Sequence, residues 1–458
     1  MKTFELKPTD ENILNTYLSD SIGRNKEVLQ FVNILNSIDG SCAIALEGKW
    51  GSGKTFFVKQ VELVLNANND FTSFLPKEKK GQIRQKQQLY LEPGQSIRPY
   101  VSVYYDSWAN DSDNDPALSL VYTIMQTTSN DYSLVDRDYL DAGIRILDSF
   151  LGTQWTDIVE SLKGDDALSQ LKKDKTIEEK IKAFLAALLP EKGERLIVFV
   201  DELDRCSPSY AVRLLERIKH YFDNENITFV FSVNIDELQH TIKKFYGATF
   251  DGARYLDRFF DLRVQLPKVE LENYYSQLNF SSQSSTWSIM CDAMIRKYNM
   301  QMREISRYLQ LYRLAVGKRL EKMETSRQHF LQSERYYCLM YVVPIMIALK
   351  LINPQKYSDF VEGKDPSPLI EAAEYLRIGF FSDLLEQNES YESAPANSGT
   401  KVVTLEEKMK AMYKGLFVTD YNLDWNPKCI GKARFNNDTR KIVEGVTGLL
   451  STYAQYDD

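Results

Sequence analysis

Eight residues, Gly48-Lys49-Trp50-Gly51-Ser52-Gly53-Lys54-Thr55, have the types and spacing to hold a phosphate group. They fit the pattern G-x-x-x-x-G-K-[ST], whose glycines let backbone N–H groups close around an anion. Lys54 adds a point charge for β- and γ-phosphates, and the Thr55 hydroxyl is a ligand of the kind Mg²⁺ takes. The setting agrees. An apolar run, Cys42–Leu46, reads as a strand before the loop, and Phe56–Leu65 has helical spacing after it. The start of that helix, Phe56 included, adds its dipole to the phosphate site. A plain glycine turn does not account for the Lys-Thr pair.

The second segment with chemical potential is Arg195-Leu-Ile-Val-Phe-Val-Asp-Glu-Leu-Asp-Arg205. The unbroken apolar run from Leu196 to Val200 marks a strand buried on both faces of a parallel sheet. Open α/β sheets bind ligands at the C-terminal ends of such strands. Asp201 there is suited to hold Mg²⁺ through its water shell, and Glu202 to orient and deprotonate an attacking water. Asp204 is a further acid that could assist the metal or replace Glu202 as the base. A strand-end Asp-Glu pair can also be a mere helix N-cap, a reading that the nearby phosphate loop disfavours. Ile227–Val233 predicts another buried strand. Asn234 at its tip either touches the γ-phosphate or the water, or simply caps the next turn.

These segments need a sheet and covering helices to bring them together, and the rest of the chain has material for both. The 458 residues are enough for two or three domains, and 43% hydrophobic with 26% charged residues is an ordinary globular balance. A net charge of −8 argues against a broad nucleic-acid-binding face, while leaving room for a local basic patch. The five cysteines lack CxxC spacing and read as reduced thiols. With only three histidines (220, 240 and 329), His-based metal catalysis is not expected. The N-terminus has no signal-peptide core. The apolar run Met340–Leu349 is too short to span a bilayer and contains Pro344, so it reads as a buried core helix. A cytoplasmic protein without membrane contact is the expectation.

Along the chain, Asp20-Ser-Ile-Gly-Arg24 precedes a helix-spaced run, Val28, Phe31, Val32, Ile34 and Leu35, suited to covering the sheet edge. The basic stretch 66–99 reads as a solvated loop. Tyr100–Tyr105 reads as a strand ending at Asp106-Ser-Trp108. The acidic turn Asn110–Asp115 lacks the glycine and glutamate of a calcium loop. Pro116 opens a helix, residues 136–189 are helical in pattern, and Ser207-Pro208 starts a helix running to about Phe222. Leu262–Pro267 is a final strand. Beyond it the pattern is helical, with an amphipathic helix opening at Gln301–Arg307 and a linker-like stretch at Asn388–Lys401. We therefore expect an α/β three-layer αβα core over residues 1–267, with a helical insertion at about 110–190. A helical lid at 268–320 and a C-terminal helical region at 321–458 would follow.

Four stretches together resemble the KAP family of P-loop NTPases, a branch near the AAA+ and STAND ATPases. They are Ala45–Thr55, Tyr105-Asp-Ser-Trp108, Val198–Cys206 and Tyr255-Leu-Asp-Arg258, and the likeness covers about residues 15–320. The resemblance implies a Mg²⁺-dependent ATPase that acts as a conformational or assembly switch, as a homo-oligomer or with a separately encoded protein. It also suggests a role in bacterial defence against phage or plasmids. The family's insert between the two nucleotide motifs often carries transmembrane helices. Here no stretch is apolar enough, as in the family's soluble members. By the same resemblance Asn234 is the sensor-1 position and the loop before the phosphate loop is an adenine pocket. Arg258 is the candidate arginine finger, with Arg254 as competitor and a surface role as the alternative. Arg303, with Arg307 as competitor, is the candidate sensor-2 arginine. Rival readings are a small-molecule kinase, a GTPase switch, for which no Asn-Lys-x-Asp guanine reader is present, and a non-hydrolysing scaffold. Lys54, Thr55, Asp201 and Glu202 give that last reading poor support.

Overall fold

Successive side chains of a strand point to opposite faces, and in β3 (Arg195–Asp201) both faces are buried. Leu196, Val198 and Val200 enter one apolar core while Ile197 and Phe199 enter another. A sheet packed on both sides by helices follows from that pattern alone. A computed structural model describes residues 6–128, 193–325, 338–376 and 404–448, apart from 72–74, 93, 114, 222–224, 283–285, 419–427, 431–432 and 436. They divide into two compact units, residues 6–274 and the residues from Tyr275 onward.

In the first unit β1 (Cys42–Glu47), β2 (Tyr100–Asp106), β3, β4 (Ile227–Val233) and β5 (Leu262–Gln265) form a parallel sheet in the order β2-β3-β4-β1-β5. One face is covered by α1 (Asp10–Ser19), α2 (Asn25–Asn36), α3 (Lys54–Asn68) and α4 (Lys77–Gln87). The other carries α5 (Pro116–Thr128), α6 (Pro208–Tyr221) and α7 (Ile235–Tyr246), with the short α8 (Gly252–Leu256) leading into β5. This is a three-layer αβα core. The register aligns Asp106 with Asp201, and Glu47 with Val233 and Gln265, so the strand tips that carry chemistry share one edge.

One local reading changes. The basic stretch expected as a solvated loop contains α4, whose cations close the end of α3. Buried Lys80 donates to the Asn69 carbonyl at 2.7 Å, and Arg84 donates to the Ala67 carbonyl at 2.7 Å and pairs with Asp70. Cations at the last carbonyls of a helix satisfy acceptors that have no partner within it. The acidic turn 110–115 likewise serves helix starts. Asp111 accepts from the Ser207 N–H and hydroxyl ahead of α6, and Asp115 accepts from the N–H groups of Ala117 and Leu118 in α5. α5 itself buries Ala117, Leu120, Val121, Ile124 and Met125 on the sheet; the expected insertion from 129 to 192 lies outside the described residues.

The boundary between the units falls within α9 (Leu271–Gln277). The second unit contains α10 (Thr286–Lys297), α11 (Met302–Thr325), α12 (Val343–Ile352), α13 (Pro354–Val361), α14 (Ser367–Leu376), α15 (Leu405–Phe417) and α16 (Asn437–Gly448). The run read as a buried core helix is α12 with the π-helical turn Cys338–Val342 before it, and Val343 to Leu349 are all buried. No helix among the described residues is long and apolar enough to cross a membrane. The region expected to be helical also holds a small antiparallel hairpin, β6 (Lys428–Ile430) with β7 (Ala433–Phe435). The linker-like stretch Asn388–Lys401 lies outside the described residues.

Candidate active site

β1 ends at Glu47 and the chain turns through the glycine-rich loop into α3. Gly51 and Gly53 have φ of +77° and +89°, the left-handed region open to glycine. A Cβ on Gly48 would meet the Ser52 Oγ at 2.8 Å, so the loop closes tightly there. The Ser52 hydroxyl donates to the Lys49 carbonyl at 2.7 Å. Lys54, 8% exposed, donates from Nζ to the Gly48 carbonyl at 2.9 Å and so lies folded over the loop. Burial lowers its pKa, against the pull of Asp204, Asp201 and Glu202. Gly53 at the N-cap of α3 offers no side-chain cap, which leaves the first-turn N–H groups to an anion. Lys49 is exposed and Phe56 is buried behind the loop.

The structure joins the loop to the acidic strand directly. Thr55 Oγ1 donates to Asp201 Oδ2 at 2.6 Å, and the Tyr104 hydroxyl of β2 donates to the same oxygen at 2.9 Å. Burial first, then Asp201, holds Tyr104 well above the ordinary phenol range, so it remains a donor. A hydroxyl beside a carboxylate at the mouth of a glycine cradle is an oxygen donor set that fits Mg²⁺. No group of three or more His, Cys, Asp or Glu side chains among the described residues converges as a metal site. A cation would therefore rest on Thr55, Asp201 and the phosphates it accompanies.

Glu202 follows with φ of +60°, a conformation that costs a non-glycine residue on the order of 1 kcal/mol. The chain bends there from β3 into a single 3₁₀ turn, Leu203–Arg205, and Arg205 Nε pairs with the Glu202 carboxylate. Burial, then Asp201, raises the Glu202 pKa, and Arg205 opposes the rise. Asp204, 5% exposed, accepts from the Trp50 indole N–H at 2.5 Å. Burial raises its pKa while Lys54 and Trp50 pull the other way. Asp204 thus braces the phosphate loop through a residue at one of the motif's free positions.

Asn234 stands at the tip of β4, between β3 and β1, and makes no capping hydrogen bond to α7. Ser107 at the tip of β2 donates its N–H to the Asp201 carbonyl at 3.0 Å. Next to it, the Trp108 ring lies 5.5 Å from the Arg205 guanidinium. Arg24, 4% exposed at the start of α2, is a site residue the sequence did not single out. Its guanidinium donates to the Ser52 carbonyl at 3.3 Å and to the Pro267 carbonyl at 2.5 Å. Burial lowers its pKa to about 10, against Glu27.

One predicted residue stands apart from this cluster, and another belongs to the second unit. Arg258 is exposed in the turn before β5, at the opposite end of the sheet, where the Asp261 N–H bonds the Ala43 carbonyl at 2.8 Å. It lines a cavity of about 220 Å³ with Cys42, Lys219 and Asp261. Arg254 is likewise exposed, on α8. Arg303 belongs to the second unit, where it and Arg307 share the exposed face of α11.

A parallel sheet with helices on both faces, and a glycine loop bonded through its threonine to a strand-end aspartate, define a P-loop NTPase domain. The model of the KAP family P-loop domain matches residues 24–313, and the chain belongs to that family. It is similar to the phage T7 exclusion protein of Escherichia coli (strain K12), 22% identical over 256 residues, or 52% of this chain and 32% of that protein. It is also similar to an uncharacterized protein of Methanocaldococcus jannaschii, 34% identical over 83 residues, or 18% of this chain and 43% of that protein. The chain spans less than half the length of either relative.

Proposed function

We propose that the protein binds ATP with Mg²⁺ at Gly48–Phe56 and hydrolyses it, using the reaction as a conformational or assembly switch. The bond from Thr55 to Asp201, with Glu202 next in the chain, carries this reading. Lys54 and the first-turn N–H groups of α3 bind the β- and γ-phosphates. Thr55 and Asp201 hold Mg²⁺, which when bound neutralises charge on the phosphates. Glu202 takes a proton from water as the water oxygen bonds to the γ-phosphorus. The bond from that phosphorus to the bridging oxygen breaks, its electron pair stays with ADP, and inorganic phosphate leaves. Asn234, free of a capping role, orients the water. Arg258 of a neighbouring copy completes the site. A second copy or a separate protein is the partner. Similarity to the phage T7 exclusion protein supports an output in excluding phage.

Glu202→Gln tests the reading. The variant should bind ATP normally by titration and turn it over at least about a hundredfold more slowly. Near-normal turnover would remove Glu202 as the base.

A further inference from the structure

We propose that Arg205, seated on Trp108, is a positioning residue that holds the Glu202 carboxylate in a resting position and so restrains hydrolysis. This rests on Glu202 as the base. Three elements converge to make the arrangement. The left-handed backbone at Glu202, φ +60°, bends the chain off β3 into the 3₁₀ turn. That turn brings Arg205 back onto Glu202, where Nε pairs with the carboxylate. From β2, Trp108 presents its ring 5.5 Å from the guanidinium. A cation over an indole is the most favourable of the aromatic pairings, and it fixes a side chain that otherwise has many rotamers.

The chemistry gives the restraint its direction. An ion pair to a guanidinium takes up one carboxylate oxygen and holds the side chain in the rotamer the pair requires, whereas a base has to turn toward the water it serves. Glu202 is free to turn once Arg205 lets go. Release is within reach, because the Arg205 and Glu202 side chains keep 25% and 21% of their exposure and such partly solvated pairs are weak. Trp108, just past the tip of β2, is 55% exposed, so the contact with Arg205 is open to solvent.

The test compares the full-length protein with Arg205→Ala, Arg205→Lys, Trp108→Ala and Trp108→Phe. ATPase kcat and KM are measured together with carbodiimide labelling of the Glu202 carboxyl, read by mass spectrometry without nucleotide. Arg205→Ala should raise kcat about fivefold, the effect of releasing a partly exposed ion pair, with KM for ATP little changed. Labelling of Glu202 should rise with it. Trp108→Ala should move both readouts the same way by less, and the Lys and Phe variants should fall between. A fall in kcat for Arg205→Ala, or unchanged labelling of Glu202, overturns the proposal. The Lys and Phe variants keep the test decisive where an alanine variant does not fold. Glu202→Gln separates the two ideas: normal turnover there sinks Glu202 as base. Impaired turnover there, with kcat and labelling unmoved in Arg205→Ala, sinks the restraint alone.

Discussion

One hydroxyl-to-carboxylate bond, Thr55 to Asp201 at 2.6 Å, ties the two nucleotide motifs together at the scale of single residues. If that pair holds Mg²⁺, Thr55→Ala should abolish the gain in ATP affinity that Mg²⁺ confers on the wild type. Titration with and without Mg²⁺ should then give nearly equal dissociation constants, while a retained difference of tenfold or more would place the cation elsewhere. Tyr104→Phe removes one donor to Asp201 and should cost about 1 kcal/mol of stability by urea unfolding, with ATP binding kept. Lys54, Thr55, Asp201 and Glu202 were legible because their spacing is itself the chemical requirement. Tyr104, Arg205 and Arg24 were not. Each acts through a contact set by strand register or by a turn, and no spacing in the chain announces it. Trp50 stood in view at a free position of the motif, but its indole partner Asp204 lies 154 positions away.

β3 and β4 were legible as elements because their short apolar runs are buried on both faces, whereas β5 is mostly exposed. α4 was hidden because only Lys80, Ile83 and Gln87 of its residues are buried, so its helical face carries a single apolar side chain. The helix-spaced run Val28–Leu35 predicts cover for the sheet, which α2 supplies through Val28, Phe31, Val32 and Leu35, while the segment before it carries Arg24. Arg24 gives that segment a duty of its own. A peptide unit is planar, so a guanidinium that fixes the Ser52 carbonyl also fixes the Gly53 N–H on the opposite side, within the phosphate cradle. Arg24→Met should therefore weaken ATP binding about tenfold while leaving kcat nearly intact. Arg24→Lys should recover only part of it, since one ammonium does not match the fork that serves both Ser52 and Pro267. α3 carries a different liability. Burial pushes the Glu62 carboxyl up to about 7, with Lys59 opposing and Asp10 of α1 adding to the rise. A folded-state value above the unfolded one means this group's contribution is full below about 4.5 and is lost as pH rises through about 7. Glu62→Gln should be about 3 kcal/mol more resistant to urea than the wild type at pH 8, with the difference vanishing near pH 4.

The placement of Arg258 matters most at the scale of the whole molecule. It stands beside the first residues of β1, and the phosphate loop follows the last, so the full strand of six residues, about 20 Å, lies between them. An arginine side chain does not cover that span, and Arg258 cannot serve the phosphate loop of its own chain. If it acts on a γ-phosphate, the phosphate belongs to a neighbouring copy. Arg258→Ala and Glu202→Gln proteins should then each be nearly inactive alone and recover part of their activity on mixing. In the mixed assembly some sites combine an intact Glu202 with an intact Arg258 from next door, and such a finger contributes on the order of a thousandfold in rate. The mixing is done under conditions where light scattering shows the two variants in one oligomer. Absence of rescue there would return Arg258 to the rim of the cavity it lines with Lys219 and Asp261, and would leave the exposed Arg254 as the arginine to test by the same cross.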